Sequence, residues 1–410
     1  MRKSFLCFIL AIAMVFGCLA MPNNVSANED YNSYSTYVWL EKFVTANPSR
    51  TTGTNGEIKA SFWLQNELSK MGYQVERQTF MAKAENVAGV TTNLVESNNI
   101  IVTKKSVQSG KKVVIGAHYD NATSLYKAGF VTGGDGAMDN GSGVAVLLDL
   151  AQKLSQSNVA LPFDLEFVFF GAEEVGMLGS NHYVSKLSQQ QKDDILLMIN
   201  VDVVASGDNL YVWGEDKKTP QANYFADQSN GKISKTPANT KAMGVHSGYR
   251  PYYSVCQMSD HMEFLSQGIP VASFFSGNFK SGTFEFVENK GKADVSHTQN
   301  DTINYLKNNF GIKFAQNMQT VSDTIFSGVM LNANTFVDEV KDARNYIVAD
   351  FWLNINYALG ILAVLIVLAG VFAYRYHKKL QKRAILGSVE IKTNTVFEKP
   401  DEDDIFTFRS

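Results

Sequence analysis

Three short, largely apolar runs that end in acidic or histidine residues constrain the fold of this 410-residue chain most strongly. The runs are VVIGAHYD, LEFVFFGAEE and LLMINVD, and they end with His118 and Asp120, with Glu173 and Glu174, and with Asp202. Consecutive apolar residues are typical of strands that are buried on both faces of a parallel sheet. Because segments with helical apolar spacing alternate with these strands, the sequence predicts an α/β fold in which helices flank a mostly parallel, twisted sheet.

The spacing of apolar residues and the positions of turn residues predict the remaining elements. Helices are predicted at Tyr37–Val44, Glu57–Gly72, Gly141–Leu154 and Met177–Leu187. Strands are predicted at Tyr73–Phe80, Asn98–Lys105, Lys112–His118, Asp164–Phe170 and Ile195–Val204. Further along the chain we expect loops and short elements over the sheet at Ser206–Val255, a helix, turn and strand at His261–Phe275, and one long closing helix at Asn304–Asn332.

The beginning of the chain has the pattern of a secretory signal. Arg2 and Lys3 precede an apolar run from Phe5 to Met21, and the small-residue triplet VSA ends at Ala27. This combination predicts a signal peptide that is cleaved after Ala27. An uncleaved membrane anchor and a lipoprotein cleavage site at Cys18 are the alternatives.

Near the other end, the segment Tyr357–Tyr374 contains no charged residue. Eighteen residues at about 1.5 Å each reach about 27 Å, close to the hydrocarbon thickness of a bilayer. The basic cluster RYHKKLQKR follows at Arg375–Arg383, and such clusters stay on the cytoplasmic side of a membrane. The sequence therefore predicts one transmembrane helix in the cell membrane, with the main domain outside the cell and the C-terminus in the cytoplasm. A buried core helix is the alternative.

These features divide the chain into five parts: signal peptide 1–27, exported domain 28–340, juxtamembrane linker 341–356, transmembrane helix 357–374, and basic cluster with cytoplasmic tail 375–410. The formal net charge of −3 and the lack of a basic stretch in the main body argue against a nucleic-acid partner. Cys7 and Cys18 lie in the signal, so Cys256 remains as the single cysteine of the mature chain. No intrachain disulfide is therefore expected.

Polar residues at the strand ends form a candidate metal site. The carboxyl ends of parallel strands line one edge of a sheet, where ligands bind, and Asp139 and His297 lie in loops that can reach this edge. Several carboxylates in one cleft are costly unless a cation neutralises them, and a mixture of imidazole nitrogen and carboxylate oxygen suits zinc. Two zinc ions carry +4 and the carboxylates of Asp139, Glu174 and Asp202 carry −3, so one hydroxide ion would bring the site to neutrality. This charge balance favours two zinc ions over one.

The motifs GAHYDN, GAMDNGSGVAVLLDLA, FFGAEEVGMLGS, NVDVV, SDHMEFLSQGIPV and HTQNDT occur in this order and resemble the M28 family of zinc aminopeptidases. The resemblance covers roughly Tyr34 to Leu331. It implies a zinc-exopeptidase-like fold and a metallopeptidase that removes N-terminal residues from peptides, and the predicted topology places this activity at the outer face of the membrane. The expected partners are therefore peptide substrates and the lipid bilayer.

The resemblance also implies roles for individual residues. His118 and Asp202 would hold one zinc ion, Glu174 and His297 the other, and Asp139 would bridge them. Glu173 would be the general base, and Asp120 would be the partner of His118. Neighbouring side chains diverge along a chain, so Glu174 can bind metal while Glu173 addresses the attacking water.

One position departs from the family pattern. Some relatives have a tyrosine directly before the last histidine, where it can stabilise the oxyanion, whereas this chain has Ser296. Tyr252 or Tyr253 could take that role, although each is also typical of a residue that only lines a loop. In the SDH motif, Asp260 and His261 are expected to support the site without binding metal.

Two other functions remain open at this point. The first is a glutaminyl-cyclase-like acyl transfer on the related fold, which would use one zinc ion. The second is a membrane receptor or scaffold that kept the fold and lost the chemistry.

His182 and His246 are expected at the surface.

Overall fold

The computed structural model describes residues 30–85, 92–107, 110–122, 134–207, 209–214, 219–235, 259–277, 295–344 and 362–383. The chain divides into two compact units, Met1–Ile347 and Val348–Ser410. The predicted signal peptide 1–27 and most of the predicted cytoplasmic tail, 384–410, lie outside the described residues.

The first unit contains an eight-stranded mixed sheet. Its strands are β1 Val75–Glu85, β2 Thr92–Lys104, β3 Lys112–His118, β4 Asp164–Phe170, β5 Ile195–Val201, β6 Asn209–Trp213, β7 Ile233–Lys235 and β8 Val271–Gly277, in the order β1-β2-β4-β3-β5-β8-β6-β7. The four central strands, β4, β3, β5 and β8, are parallel, as predicted. Antiparallel pairing adds β1 and β2 on one side and β6 on the other, and β7 pairs parallel to β6. The sheet is therefore parallel at its centre and between the edge strands β6 and β7, and antiparallel elsewhere.

Helices cover this sheet. They are α1 Ser35–Ala46, α2 Asn55–Lys70, α3 Gly141–Gln156, α4 Leu178–Ser185, α5 Gln189–Asp194, α6 Pro220–Gln228, α7 His261–Leu265, α8 Ile303–Phe310, α9 Lys313–Ile325 and α10 Ala333–Val340. A 3-10 turn at Tyr31–Ser33 precedes α1.

The core forms where the apolar strands meet α3. Strands β3 and β4 are buried along their length apart from the first residue, as their continuous apolar sequences predict. Leu147 and Leu148 of α3 are fully buried, and each such side chain contributes about 1.5–3 kcal/mol relative to exposure. A Cβ on Gly143 would lie 2.3 Å from the carbonyl oxygen of Val201, so glycine is needed where α3 begins against the end of β5.

Two predictions about the later chain differ from the structure. The long closing helix expected at Asn304–Asn332 is divided, because Gly311 has φ +55 and ψ −150, outside the helical region, and ends α8. After α9 the chain continues as a π-helical turn at Phe326–Leu331. The region Ser206–Val255 contains the short strands β6 and β7, which extend the sheet, whereas loops and short elements over the sheet were expected. Residues 236–258 lie outside the described residues.

In the second unit the described residues form a helix at 362–383. Nowhere in the described ranges does a helix reach the length and apolar character that a bilayer crossing needs. The predicted transmembrane segment begins at Tyr357, and its residues 357–361 lie outside the described part of the chain.

Candidate metal centre

The structure gathers the predicted ligands and the predicted base at the carboxyl edge of the parallel strands. The residues are His118 at the end of β3, Asp139 before α3, Glu173 and Glu174 after β4, Asp202 after β5, and His297 before α8. The peptide bond between Asp139 and Asn140 is cis. Residues from five separate segments therefore meet in one cleft.

Asp139 lies between two histidines, and its two carboxylate oxygens face different rings. Oδ1 is 3.3 Å from Nε2 of His118, and Oδ2 is 3.1 Å from Nε2 of His297. Each of these nitrogens also contacts a second carboxylate. Nε2 of His118 lies 3.3 Å from Oδ1 of Asp202, and Nε2 of His297 lies 3.0 Å from Oε2 of Glu174. The five side chains thus form two clusters that share Asp139.

These clusters fit metal ions better than simple hydrogen bonds. An imidazole N–H points in one direction, whereas each Nε2 atom here lies about equally far from two carboxylate oxygens. Two ligand atoms about 2.1 Å from a tetrahedral zinc ion lie about 3.4 Å apart, close to these contacts. Within the described part of the chain, Oε1 of Glu174 and Oδ1 of Asp202 are buried without a hydrogen-bond partner. His118, Asp139 and Glu174 each offer one atom within 4.8 Å of the others. The residues therefore fit zinc.

The charges of the cleft shift the pKa values of its members. Burial lowers the pKa of His118, but the charges of Glu173 and Asp202 outweigh it and raise this pKa well above the usual value. The pKa of His297 is raised in the same way, with Glu174 as the main opposing charge. Burial raises the pKa of Glu173 well above the carboxylate range. Zinc ligation needs neutral imidazole, so metal binding at these histidines would release protons.

Asp120 lies beside His118, as predicted, and makes further contacts that were not predicted. Nδ1 of His118 lies 3.2 Å from the backbone oxygen of Asp120 and 3.6 Å from its Oδ1. The Asp120 carboxylate also accepts the backbone N–H groups of Glu173, at 3.1 Å, and Glu174, at 3.2 Å. It also accepts the hydroxyl of Thr52 at 2.8 Å. Asp120 therefore fixes the backbone of the glutamate pair, in addition to lying beside His118.

Left-handed backbone conformations occur in the loops that carry the ligands. Ala172 has φ 57, Val203 has φ 48 and His297 has φ 58. Such conformations cost about 1–3 kcal/mol each for residues other than glycine, and they gather at functional sites. Surrounding contacts hold them: the carbonyl of Val203 accepts the N–H of Ser276 at 3.0 Å. Three of the loops that carry ligands are thus locally strained parts of the fold.

Asn140 is a buried residue that the sequence analysis does not single out. Its side-chain oxygen accepts the N–H of Gly143 at 2.9 Å, which caps α3. The same oxygen accepts the N–H of Val203 at 3.3 Å, and the amide donates to the carbonyl of Val201 at 2.9 Å. Asn140 therefore forms hydrogen bonds with both sequence neighbours of Asp202. The sequence signal was the asparagine before a glycine-flanked helix start, which indicates a cap but not the second contact.

Arg50 is fully buried and was not predicted at all. Its guanidinium donates to the backbone carbonyls of Asn47, Tyr119, Asp135 and Gly136 at 2.6–2.9 Å. Tyr119 directly follows His118, and Asp135 and Gly136 lie shortly before Asp139. Arg50 therefore joins two ligand loops. An arginine in a polar loop gives no sequence signal for burial.

The remaining candidates take varied positions. Asp260 and His261 are buried beside the site, and Nδ1 of His261 lies 3.3 Å from Nδ2 of Asn200. Burial raises the pKa of Asp260 to about 7. The ring of His182 is partly exposed and stacks on a phenylalanine of β1. Ser296 is partly buried. Tyr252, Tyr253, His246 and Cys256 lie outside the described residues.

Comparison of the sequence with known families gives a match to the sequence model of peptidase family M28 over residues 99–322. The chain is 26% identical to the alkaline phosphatase isozyme conversion protein of Escherichia coli over 287 residues, which cover 67% of the chain and 81% of the relative. It is 32% identical to aminopeptidase YwaD of Bacillus subtilis over 188 residues, which cover 44% of the chain but only 36% of the relative.

Comparison of the structures finds the same fold in zinc aminopeptidases and in glutaminyl cyclases. The zinc aminopeptidase BSAP of Bacillus subtilis matches with a TM-score of 0.51 and 19% identity, over 71% of this chain and 94% of that protein. The glutaminyl cyclase of Porphyromonas gingivalis matches with a TM-score of 0.50 and 21% identity, over 71% of this chain and 95% of that protein. At these identities the structural likeness shows the fold alone.

Proposed function

The chain belongs to peptidase family M28 and is a metallopeptidase of the aminopeptidase type, and we propose that it uses two zinc ions to remove N-terminal residues from peptides at the outer face of a cell membrane. The contacts of Asp139 carry this proposal. Its two oxygens face the Nε2 atoms of His118 and His297, and each nitrogen faces one further carboxylate. One shared carboxylate between two nitrogen–oxygen pairs is the arrangement that a bridged pair of metal ions requires.

In this proposal His118 and Asp202 would hold one zinc ion, Glu174 and His297 would hold the other, and Asp139 would be shared between them. Zinc supplies a water of lowered pKa and polarises the peptide carbonyl. Glu173 takes the proton from the attacking water, and the same carboxylic acid then protonates the departing amine as the C–N bond breaks. Its Oε2 lies 4.0 Å from Nε2 of His118, farther than the carboxylate oxygens of Asp139 and Asp202, which lie 3.3 Å from the same nitrogen. Burial raises the pKa of Glu173 above its usual value, which is the direction expected for a carboxyl group that must both accept and return a proton.

The Asp120 carboxylate orients the backbone of Glu173 and Glu174 for these different roles. Because both backbone N–H groups bond to one carboxylate, the peptide planes on either side of Glu173 are fixed. The two side chains then leave the backbone in divergent directions. Glu174 can therefore bind metal while Glu173 takes a proton from the attacking water.

A glutaminyl-cyclase-like reaction is the second candidate, because a cyclase shares the fold. Such an enzyme would use one zinc ion and an N-terminal glutamine as its substrate. The paired contacts of Asp139 favour the two-zinc reading. Measurement of the zinc content therefore separates the candidates.

Export and membrane anchoring are further parts of the proposal. The signal-like residues 1–27 and the basic cluster after Tyr374 support an outward-facing domain and a cytoplasmic C-terminus. The segment Tyr357–Tyr374 contains no charged residue, which favours a lipid environment over water.

A panel of aminoacyl reporter substrates tests the activity. The exported domain is expected to cleave substrates with a free amino terminus, to lose this activity to a chelator and to regain it with added zinc. N-acetylated versions of the same substrates, as matched controls, are expected to stay intact. The purified active domain should carry close to two zinc ions per chain. Cleavage that survives complete removal of zinc would refute the proposal, and one zinc ion per active chain with cyclisation of N-terminal glutamine would favour the cyclase.

A further inference from the structure

Asp301 lies four residues after His297 and outside the predicted set of ligands. It is 3% exposed. Its carboxylate accepts two backbone N–H groups, that of Met138 at 2.6 Å and that of Asp139 at 3.1 Å. Its own backbone carbonyl accepts the N–H of Asp135 at 2.7 Å. One residue therefore makes three hydrogen bonds to the segment that ends in the proposed bridging ligand.

The two loops that Asp301 joins are packed too closely for a side chain between them. A Cβ on Gly134 would lie 2.4 Å from the carbonyl oxygen of Thr298 and 2.9 Å from Cβ of Asp301. Asp301 also closes its own loop, since its N–H donates to the carbonyl of Thr298 at 3.2 Å. The loop that carries His297 and the segment that carries Asp139 are therefore joined by hydrogen bonds and close backbone contact.

We infer that Asp301 is a positioning residue that holds the carboxylate of Asp139 at the distance from His297 at which one zinc ion can bind both. The inference rests on the proposed zinc site. Oδ2 of Asp139 and Nε2 of His297 are 3.1 Å apart. The contacts of Asp301 lie on both sides of this gap: it is in the same loop as the imidazole, and it fixes the peptide plane from which the carboxylate extends.

The chemistry of Asp301 suits this task. A carboxylate has two acceptor oxygens and can accept two N–H groups at once, whereas an asparagine of the same shape has one oxygen and a donor NH₂. Asp301→Asn would therefore release either Met138 or Asp139 and leave a buried N–H group facing another donor. A shift of a few tenths of an ångström at Asp139 then changes the ligand geometry directly.

The zinc affinity of the full chain, measured by competition with a chelating dye of known affinity, tests this inference without use of the activity. Asp301→Asn is expected to weaken the binding of a zinc ion by about 10–100-fold, the scale found when groups that orient metal ligands are removed. The matched control is Asp149→Asn, which removes an equally buried carboxylate that bonds to Lys153 and Ser322, away from the cleft. It is expected to leave the zinc affinity within about twofold of the wild type.

A second variant guards against simple misfolding. Asp301→Glu keeps two acceptor oxygens on a longer side chain, so it should fold and bind zinc more tightly than Asp301→Asn but more weakly than the wild type. Thermal unfolding of the zinc-free proteins checks that each variant is folded. Equal zinc affinity in Asp301→Asn and the wild type, or an equal loss in Asp149→Asn, would overturn the inference. A wild-type protein that binds zinc but cleaves no peptide would contradict the proposed function and leave this result interpretable.

Discussion

Replacement of Arg50 by methionine is expected to destabilise the peptidase domain by about 4 kcal/mol or more. The guanidinium donates to four backbone carbonyls. Burial lowers its pKa to about 10, which leaves it charged at neutral pH. A buried acceptor that loses its donor costs about 1–3 kcal/mol, so four of them cost about 4–12 kcal/mol. Water that enters the vacated space can pair some of these oxygens, which favours the lower end of this range.

Thermal unfolding of the zinc-free domain measures this effect. At about 2–4 °C for each kcal/mol, a loss of about 4 kcal/mol lowers the midpoint by about 8–16 °C. Arg77→Met is the matched control, because Arg77 is partly exposed and lies over the ring of Phe62, which is 56% exposed. That change should cost less than about 1 kcal/mol. Arg50→Lys keeps the charge but not the planar guanidinium group, so its unfolding midpoint should lie between those of Arg50→Met and Arg77→Met. A midpoint for Arg50→Met within about 2 °C of the wild type would refute the reasoning.

The remaining predictions concern pH and topology. Burial, with the charge of Asp120, raises the pKa of Glu57 from 4.5 to about 8. The stability that its protonation contributes is therefore present below pH 4.5 and is lost as the pH rises through 8. Zinc-free wild-type protein should therefore lose more stability between pH 5 and 8 than Glu57→Gln does; parallel pH profiles in urea unfolding would contradict this. Protease added to intact cells should digest the domain before residue 340 and spare an epitope in the tail 384–410, and the reverse pattern would show that the proposed orientation is wrong.

The central strands could be predicted from the sequence because each is a continuous run of mostly apolar residues, which indicates burial on both faces of a sheet. The bounds predicted for β3 and β4, Lys112–His118 and Asp164–Phe170, are those observed. Polar residues that follow such strands must lie at the carboxyl edge of a parallel sheet, and the structure does bring His118, Glu174 and Asp202 together there. The closing helix was harder, because its apolar spacing continues across Gly311 while the backbone does not.

The residues that hold the ligand loops could not be predicted, because their partners are distant in sequence and are mostly backbone groups. Arg50 bonds to carbonyls up to 86 residues away. Asp301 bonds to N–H groups more than 160 residues away. The residue types around a backbone donor or acceptor do not indicate which distant side chain bonds to it. The same reason explains why Asp120 was expected to face His118 but not the N–H groups of the glutamate pair.

Zinc content and kcat, measured together on Glu173→Gln and Glu174→Gln, test the central claim most directly. Both changes replace a carboxylate by an amide of nearly the same shape at adjacent positions, so each variant is the control for the other. Glu173→Gln should keep its zinc while kcat falls by about 10²-fold or more, the scale of general acid–base catalysis. Glu174→Gln should bind zinc more weakly, because a neutral amide replaces a charged ligand. Full activity in Glu173→Gln, or loss of zinc from Glu173→Gln while Glu174→Gln keeps its zinc, would contradict the account.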